Sequence, residues 1–170
     1  MKSKSFKSIT GISLAALAAL ASNALSPSVA FALDGKIYPG SNCVRYAGSS
    51  SVIYNFSAIG NNSTTQALFL DCPGVKDATS IHHGWVRGQD RHDTQNIRCQ
   101  LFSVYRNAAG GFVGWWSPVG QSVGSVVAVQ QWNYGAVNGN GSSHYYYSCQ
   151  IPPKVGANAS WIDTYSITEN

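Results

Sequence analysis

Apolar side chains recur at every second position in several short segments of this chain, and this periodicity constrains the fold more than any other feature. Ile97, Cys99 and Leu101, for example, alternate with Arg98 and Gln100, as one half-buried face of a β-strand requires. After residue 32 no segment shows a sustained apolar period of 3.6, and helix formers are scarce, with four Leu, one Glu and no Met. These features predict an all-β fold.

Clusters of Gly, Asn, Ser and Pro divide the chain after residue 32 into short segments of this kind. Turns are expected at residues 38–42, 48–51, 60–63 and 71–74. About eight or nine strands result, at residues 43–46, 52–57, 65–72, 84–91, 97–106, 112–116, 125–132, 144–151 and 161–167. This number of short strands predicts a two-sheet antiparallel β-sandwich, jelly-roll-like, with a β-barrel as the alternative.

The segment from residue 81 to residue 106, IHHGWVRGQDRHDTQNIRCQLFSVYR, holds three of the four histidines and four arginines. Its two extended stretches flank residues 93–96, whose Asp and Asn side chains suit a turn. The segment is therefore expected to form a β-hairpin. Cross-strand ion pairs on one solvent-facing side would account for its charged residues, Arg87, Asp90, Arg91 and Arg98.

Residues 1–32 have the pattern of a secretory signal peptide. Three lysines begin it, residues 12–21 form an apolar run, and Ala30-Phe31-Ala32 fits a small-x-small cleavage site, with cleavage after Ala30 or Ala24 as alternatives. The apolar run is shorter than the roughly 20 residues that span a bilayer, so no membrane anchor is expected. Cleavage after Ala32 leaves residues 33–170 as one β-sandwich domain, secreted into the periplasm or out of the cell.

The basic charge of the sequence comes from this leader. The formal net charge is +4 for the whole chain, and removal of Lys2, Lys4 and Lys7 leaves +1 for residues 33–170. A domain so close to neutral has little electrostatic attraction for nucleic acid or acidic lipid. Neither is expected as a partner.

The four cysteines, Cys43, Cys72, Cys99 and Cys149, are far apart in the sequence. An even number in an exported chain predicts two disulfides, which three pairings would satisfy. The wide spacing argues against zinc, whose structural sites usually use close pairs of cysteines. We prefer Cys43–Cys72 with Cys99–Cys149, because each bridge then joins strands from the same half of the chain.

Several motifs are spread over nearly all of residues 33–170: YPGSNCVRY, DCP, GWVRGQDRH, HYYYSCQIP and the final TYSITEN. In these motifs the chain resembles a group of small secreted bacterial proteins of unknown function. The resemblance implies secretion and a single domain, and it assigns no chemistry to any residue.

No catalytic signature is complete, and the sequence favours a protein without catalysis of its own. Residues 120–124, GQSVG, match the G-x-S-x-G motif, but no acidic residue lies between Ser122 and His144 and no helix is expected after the serine. The seven carboxylates contain no pair placed for glycoside hydrolysis. The less favoured alternative is a small hydrolase that uses Asp90, His92 and a partner such as His144.

Metal-ligating residues are also too few in any one place. His82 and His83 are adjacent, so on a regular strand they would point to opposite faces and would not share an ion. Asp90 and His92 would share a face, but a site there would need further ligands from elsewhere, beyond the neighbouring Asp93. No metal ion or other cofactor is therefore expected.

Aromatic residues exceed what one small core can bury. The consecutive rings of Trp115-Trp116 and Tyr145-Tyr146-Tyr147 must point to both faces of their strands. Exposed rings beside Asn and Gln suit a sugar ring, so a polysaccharide or another cell-surface glycan is the expected ligand. The binding residues are expected to be Trp115, Trp116, Trp132, Tyr134, His144 and Tyr146.

Two alternatives account for the same aromatic residues. The outer rings would form cross-strand pairs that only stabilise the sheet, by a few tenths to about 1 kcal/mol each. Exposed aromatic patches and strand edges would instead bind another protein. Glycan binding is the first hypothesis, protein binding the second and hydrolysis the third.

Overall fold

In a computed structural model, which describes residues 33–170, the chain forms two antiparallel β-sheets packed as a β-sandwich. Sheet I contains β1 (Asp34–Pro39), β3 (Val52–Asn55), β4 (Ala58–Asn61), β6 (Ile81–Gln89), β10 (Gln130–Tyr134) and β12 (Trp161–Glu169). Sheet II contains β2 (Val44–Gly48), β5 (Leu68–Gly74), β7 (Arg98–Arg106), β8 (Phe112–Trp116), β9 (Gly120–Gln121) and β11 (His144–Ile151). A short 3-10 turn at Gly40–Asn42 precedes β2. The predicted all-β, two-sheet architecture is confirmed, with twelve strands among the described residues.

The last strand, β12, lies inside sheet I. It pairs with β6 along its length, and its other side is shared by β4 at residues 161–162 and by β1 at residues 164–169. In sheet II the strand order is β2-β5-β11-β7-β8, with β9 also paired with β7. The central strands β7 and β11 are therefore hydrogen-bonded on both sides, which fixes the positions of the side chains that they carry.

The inner faces of the two sheets form the core. Alternate residues of β7 and β11 are buried, and β6 and β12 supply the facing residues. Tyr147 is fully buried, and its hydroxyl donates a 2.9 Å hydrogen bond to the Ser166 carbonyl of the other sheet. Its ring needs the space that Gly84 leaves, because a Cβ there would lie 2.0 Å from the tyrosine hydroxyl oxygen.

Residues 81–106 do not form the predicted hairpin. β6 belongs to sheet I and β7 to sheet II, so the residues between them cross from one sheet to the other. Both strands alternate with period two because each presents one face to the same core. Alternation alone does not distinguish two paired strands from two strands on opposite sheets.

The crossing loop is organised by Asp90, whose side chain is fully buried. Its carboxylate accepts hydrogen bonds from the Ser122 and Ser160 hydroxyls and from the backbone amides of His92 and Ile97. The expectation that Asp90 lies on a solvent-facing side with the arginines is therefore wrong. Four donors from three loops replace the hydrogen bonds that water would donate to a carboxylate on the surface.

The strand boundaries agree only partly with the predicted ones. β11 begins and ends as predicted, whereas β1 and β4 lie where the sequence predicts turns or no strand. β5 continues to Gly74 through Pro73, which lies beyond the part of β5 that pairs with β2. A missing amide hydrogen is tolerated where one side of a strand is unpaired. The predicted strand at 125–132 is mostly loop, since β10 begins at Gln130.

The start of β6 overturns the expectation for its two histidines. Three residues, Ile81, His82 and His83, oppose only Thr168 and Glu169 of β12, so β6 contains a β-bulge. Ile81 is buried, whereas His82 and His83 are both exposed. Their ring centroids are 5.1 Å apart, so the two imidazoles lie side by side and not on opposite faces.

Both predicted disulfides are confirmed. Cys43–Cys72 joins the residue before β2 to β5, and Cys99–Cys149 joins β7 to β11 at directly opposite positions. Two disulfides fit a secreted or extracellular protein. The predicted signal peptide, residues 1–32, lies outside the described residues. Within residues 33–170, no helix has the length and apolar character needed to cross a membrane.

Candidate functional site

Aromatic side chains cross the outer face of sheet II in one row. Trp116 on β8 lies opposite Phe102 on β7, and Phe102 lies opposite Tyr146 on β11. The Phe102 and Tyr146 rings stack with centroids 5.3 Å apart and planes 11° apart, and the Trp116 ring is tilted against Phe102 at 6.4 Å. We call these three side chains the aromatic ridge. It runs across the strands because its members are register partners.

Solvent reaches the ridge from both ends. Trp116 is 62% exposed. Near the other end the exposed ring of His144, two residues before Tyr146 on β11, stacks on Tyr146 with centroids 6.0 Å and planes 18° apart. Pro73 of β5 is the register partner of Tyr146 and is also exposed. The row therefore presents cyclic side chains from four adjacent strands.

A polar row runs parallel to the ridge, at a distance of two residues on each of three antiparallel strands. Gln100, Ser148 and Asp71 are register partners on β7, β11 and β5. The Tyr46 hydroxyl of β2 lies 3.2 Å from the Ser148 hydroxyl. Apolar ring faces thus lie next to hydroxyl, amide and carboxylate groups, which is the mixture found in small-molecule binding sites.

Burial affects two ionisable groups of this surface. It raises the pKa of the Asp71 carboxyl above its ordinary value of 3.8, while a hydrogen bond with Ser148 acts in the opposite direction. Burial also raises the pKa of the Tyr146 hydroxyl, with smaller contributions from Asp71 and Tyr46. Among residues 33–170, Asp71 forms no salt bridge. At neutral pH the Tyr146 hydroxyl therefore remains a hydrogen-bond donor, and the Asp71 carboxyl near it is an acceptor.

Two depressions lie on either side of the ridge. One has a volume of about 440 Å³ and is lined mainly by Tyr46, Phe69, Arg98, Gln100, Gln121 and Gln150. The other has a volume of about 500 Å³ and is lined mainly by Asp71, Pro73, Val104, Phe112, His144 and Tyr146. Both volumes are within the range of ligand pockets, roughly 300–1,000 Å³. The first is rich in amide groups, and the second is mostly apolar.

Three of the six residues predicted to bind a ligand, Trp116, His144 and Tyr146, lie together on this face. Trp115 points to the other side of β8, where its ring packs against the core and stacks on Tyr105 with centroids 5.9 Å apart. Adjacent strand residues face opposite ways, so Trp115 is partly buried and is not a member of the aromatic ridge.

The prediction that Trp132 and Tyr134 are available to a ligand is wrong. They are only 7% and 4% exposed, because both point inward from β10. Trp132 approaches Gly88, and the Tyr134 hydroxyl donates a 3.1 Å hydrogen bond to the Cys99 carbonyl. Their apolar area belongs to the core.

Sequence reasoning missed four residues of this face: Tyr46, Phe69, Asp71 and Phe102. Phe102 could have been found from the sequence. Leu101 before it belongs to the buried face of the strand, so Phe102 is an apolar residue on the solvent-facing side, where the alternation predicts a polar one. Such an interruption marks an apolar side chain on an outer face. The other three could not be placed without the strand order.

The residues considered for catalysis do not form a catalytic group. Ser122 is fully buried, and its hydroxyl donates to the Asp90 carboxylate, whereas a G-x-S-x-G nucleophile must be exposed on a sharp strand-to-helix turn. Asp90 contacts the backbone amide of His92 and not its ring. The ring nitrogen Nδ1 of His92 accepts hydrogen bonds from two amides of its own loop. These contacts stabilise loops.

Of the described residues, only Asp34, Asp77 and Glu169 form a group of three metal-ligating side chains with mutually close ligand atoms. Lys36 already occupies the middle of this group, with its Nζ at 2.9, 2.8 and 2.7 Å from the three carboxylates. Burial alone would lower the pKa of Lys36, but the hydrogen bonds to Asp77, Glu169 and Asp34 raise it. The ammonium group supplies the cation that these carboxylates need.

No protein-family model matches the chain, and no curated protein sequence matches it. Among solved structures, the chain is similar to the CBM36-1 domain of a multidomain xylanase from the hindgut metagenome of Trinervitermes trinervoides, with 12% identity over 79% of this chain and 96% of that domain and a TM-score of 0.48. It is also similar to a family two carbohydrate esterase from Cellvibrio japonicus, with 6% identity over 82% of this chain and 34% of the esterase and a TM-score of 0.42. Likeness at this level assigns neither ligand nor activity to this chain.

Proposed function

We propose that this protein is a secreted, non-catalytic binding protein for polysaccharides or other cell-surface glycans, and that it binds them on the outer face of sheet II. The aromatic ridge is the observation that carries the proposal. Its rings offer flat apolar faces to solvent, and the polar row beside it offers hydrogen-bonding groups. A sugar ring needs both, because it has apolar C–H faces and a rim of hydroxyl groups.

The geometry favours an extended glycan that runs across the strands. Neighbouring strands are about 4.8 Å apart, so the four-strand row from Trp116 to Pro73 is roughly 14 Å long. This is longer than one sugar ring. The polar row runs parallel to it, so hydroxyl groups along one edge of the glycan would meet Gln100, Ser148 and Asp71 in turn.

A second candidate function is the binding of another protein. It is favoured by the loop between β9 and β10, where Val123 and Val127 are 80% and 73% exposed. Neighbouring exposed apolar side chains are more typical of an interaction site than single ones.

The test is calorimetric titration of residues 33–170 with soluble xylan, glucan, mannan and chitin fragments and with purified cell-wall polysaccharide. Trp116→Ala, Phe102→Ala and Tyr146→Ala are each expected to weaken binding about tenfold, since one stacking ring contributes on the order of 1.4 kcal/mol. Tyr54→Ala is the matched control, because Tyr54 is 63% exposed but lies on sheet I. It should leave the affinity unchanged.

Two results would contradict the proposal. Glycan binding that survives in all three ridge variants would place the site elsewhere on the protein. Absence of binding to every glycan, with each ridge variant less stable than the parent protein, would mean that the rings only stabilise the sheet.

A further inference from the structure

The β-bulge at the start of β6 creates a pair of neighbouring histidines on the exposed side of sheet I. On a regular strand His82 and His83 would face opposite ways. Here the extra residue returns Ile81 to the core and leaves both imidazoles exposed, with ring centroids 5.1 Å apart and ring planes at 72°. Bulges commonly re-aim a side chain in this way.

The two rings are free to bind. Among residues 33–170, neither imidazole takes part in a salt bridge, and none of the side-chain hydrogen bonds involves them. The other two histidines are engaged differently, since His92 accepts two amide hydrogen bonds and His144 stacks on Tyr146. The histidine pair is thus distinct from every group described above.

We propose that His82 and His83 form a binding site for a divalent transition-metal ion, with Cu²⁺ preferred over Zn²⁺. Neutral imidazole is a common ligand for both metals, and Cu²⁺ binds a given nitrogen site most tightly in the first-row series. Two protein ligands leave the remaining coordination positions to water, so the site is open and exchangeable. The proposal concerns sheet I and does not depend on glycan binding.

Trp85 provides a local readout. It lies two residues from His83, on the same side of β6, and is partly exposed. Bound Cu²⁺ is expected to quench its fluorescence, whereas calorimetry measures the affinity independently of any tryptophan. Trp85→Phe should therefore lose much of the quenching and keep the calorimetric signal.

The experiment titrates residues 33–170, purified without a histidine tag, with Cu²⁺ alone and then with Zn²⁺ alone. We expect one Cu²⁺ per chain, with His82→Ala and His83→Ala each weakening the affinity about tenfold or more, because even changes in groups that only support a ligand cost 10–100-fold. His92→Asn is the matched control, since the Asn oxygen can accept the same loop amides. It should bind Cu²⁺ like the parent protein.

Three results would overturn the proposal: no saturable Cu²⁺ binding, binding that both histidine variants retain, or equal loss in His92→Asn. Circular dichroism of each variant verifies folding, which substitutions of exposed side chains should leave intact.

Discussion

Among the residues beside the aromatic ridge, Asp71 carries a charge that the folded protein disfavours, because burial raises its pKa above 3.8. Ionised Asp71 therefore lowers the free energy of unfolding at pH values above the pKa that this carboxyl has in the unfolded chain. The effect disappears at low pH, where the carboxyl is protonated in both the folded and the unfolded state.

Asp71→Asn is accordingly expected to raise the melting temperature at pH 7 and to leave it unchanged below about pH 3, where Asp71 is neutral in both states. The same variant is expected to weaken glycan binding, because it removes a charged acceptor beside the ridge. Thermal unfolding at the two pH values and calorimetric titration measure the two effects. A variant that is less stable at pH 7 would contradict this account of Asp71.

At the residue scale, the sequence predicts what kinds of side chain bind but only partly which ones. Trp116 and Tyr146 could be chosen because each stands beside another aromatic residue, which forces one ring outward. Trp132 and Tyr134 look equally suitable in the sequence. They are buried because they lie on the face of β10 that meets the core. The residues next to them in the sequence do not determine which face that is.

At the element scale, the link between β6 and β7 shows how one buried carboxylate organises distant segments. Asp90 joins its own loop to Ser122 before β10 and to Ser160 before β12. The chain can therefore pass from sheet I to sheet II with the buried amide of Ile97 hydrogen-bonded just before β7.

Asp90→Ala is expected to lower the free energy of unfolding by about 3 kcal/mol or more, because several buried donors lose their acceptor at once. Chemical denaturation measures this loss. Asp93→Ala is the control, since Asp93 lies in the same loop with its side chain exposed, and it should change stability by less than about 0.5 kcal/mol. Equal effects of the two substitutions would refute the role assigned to Asp90.

The elements themselves were largely predictable, since alternation and turn residues locate most strands to within a few residues. β11 was predicted with its observed bounds because His144–Ile151 alternates without interruption and is followed by two prolines. The pairing of β6 and β7 was predicted wrongly because pairing with distant strands, β6 with β10 and β12 and β7 with β11, decides which sheet a strand joins. The β-bulge at His82 was likewise invisible, since it depends on the register with β12.

At the scale of the whole molecule, the two disulfides hold different parts of sheet II. Cys43–Cys72 attaches the start of the edge strand β2 to β5, whereas Cys99–Cys149 links the two central strands that carry Phe102 and Tyr146. Each is expected to stabilise the fold by about 2–4 kcal/mol.

The two bridges should therefore differ in their effect on binding. Replacing either cysteine pair by alanine lowers stability, but only Cys99→Ala with Cys149→Ala is expected to weaken glycan binding under conditions where both variants are folded. Denaturation and calorimetry of the two double variants make the comparison, with Cys43→Ala and Cys72→Ala as the control. Equal binding by both would contradict a special role for the central bridge.

The position of Cys99 opposite Cys149 has a consequence for the register of β7 against β11. A slip of β7 by one residue against β11 would turn Phe102 into the core and Leu101 towards solvent, and the bridge prevents that slip. Because disulfides persist in oxidising compartments and are rare in the cytosol, this additional restraint on the register forms only in such a compartment. On the proposed function, glycan binding would therefore be strongest in the oxidised protein.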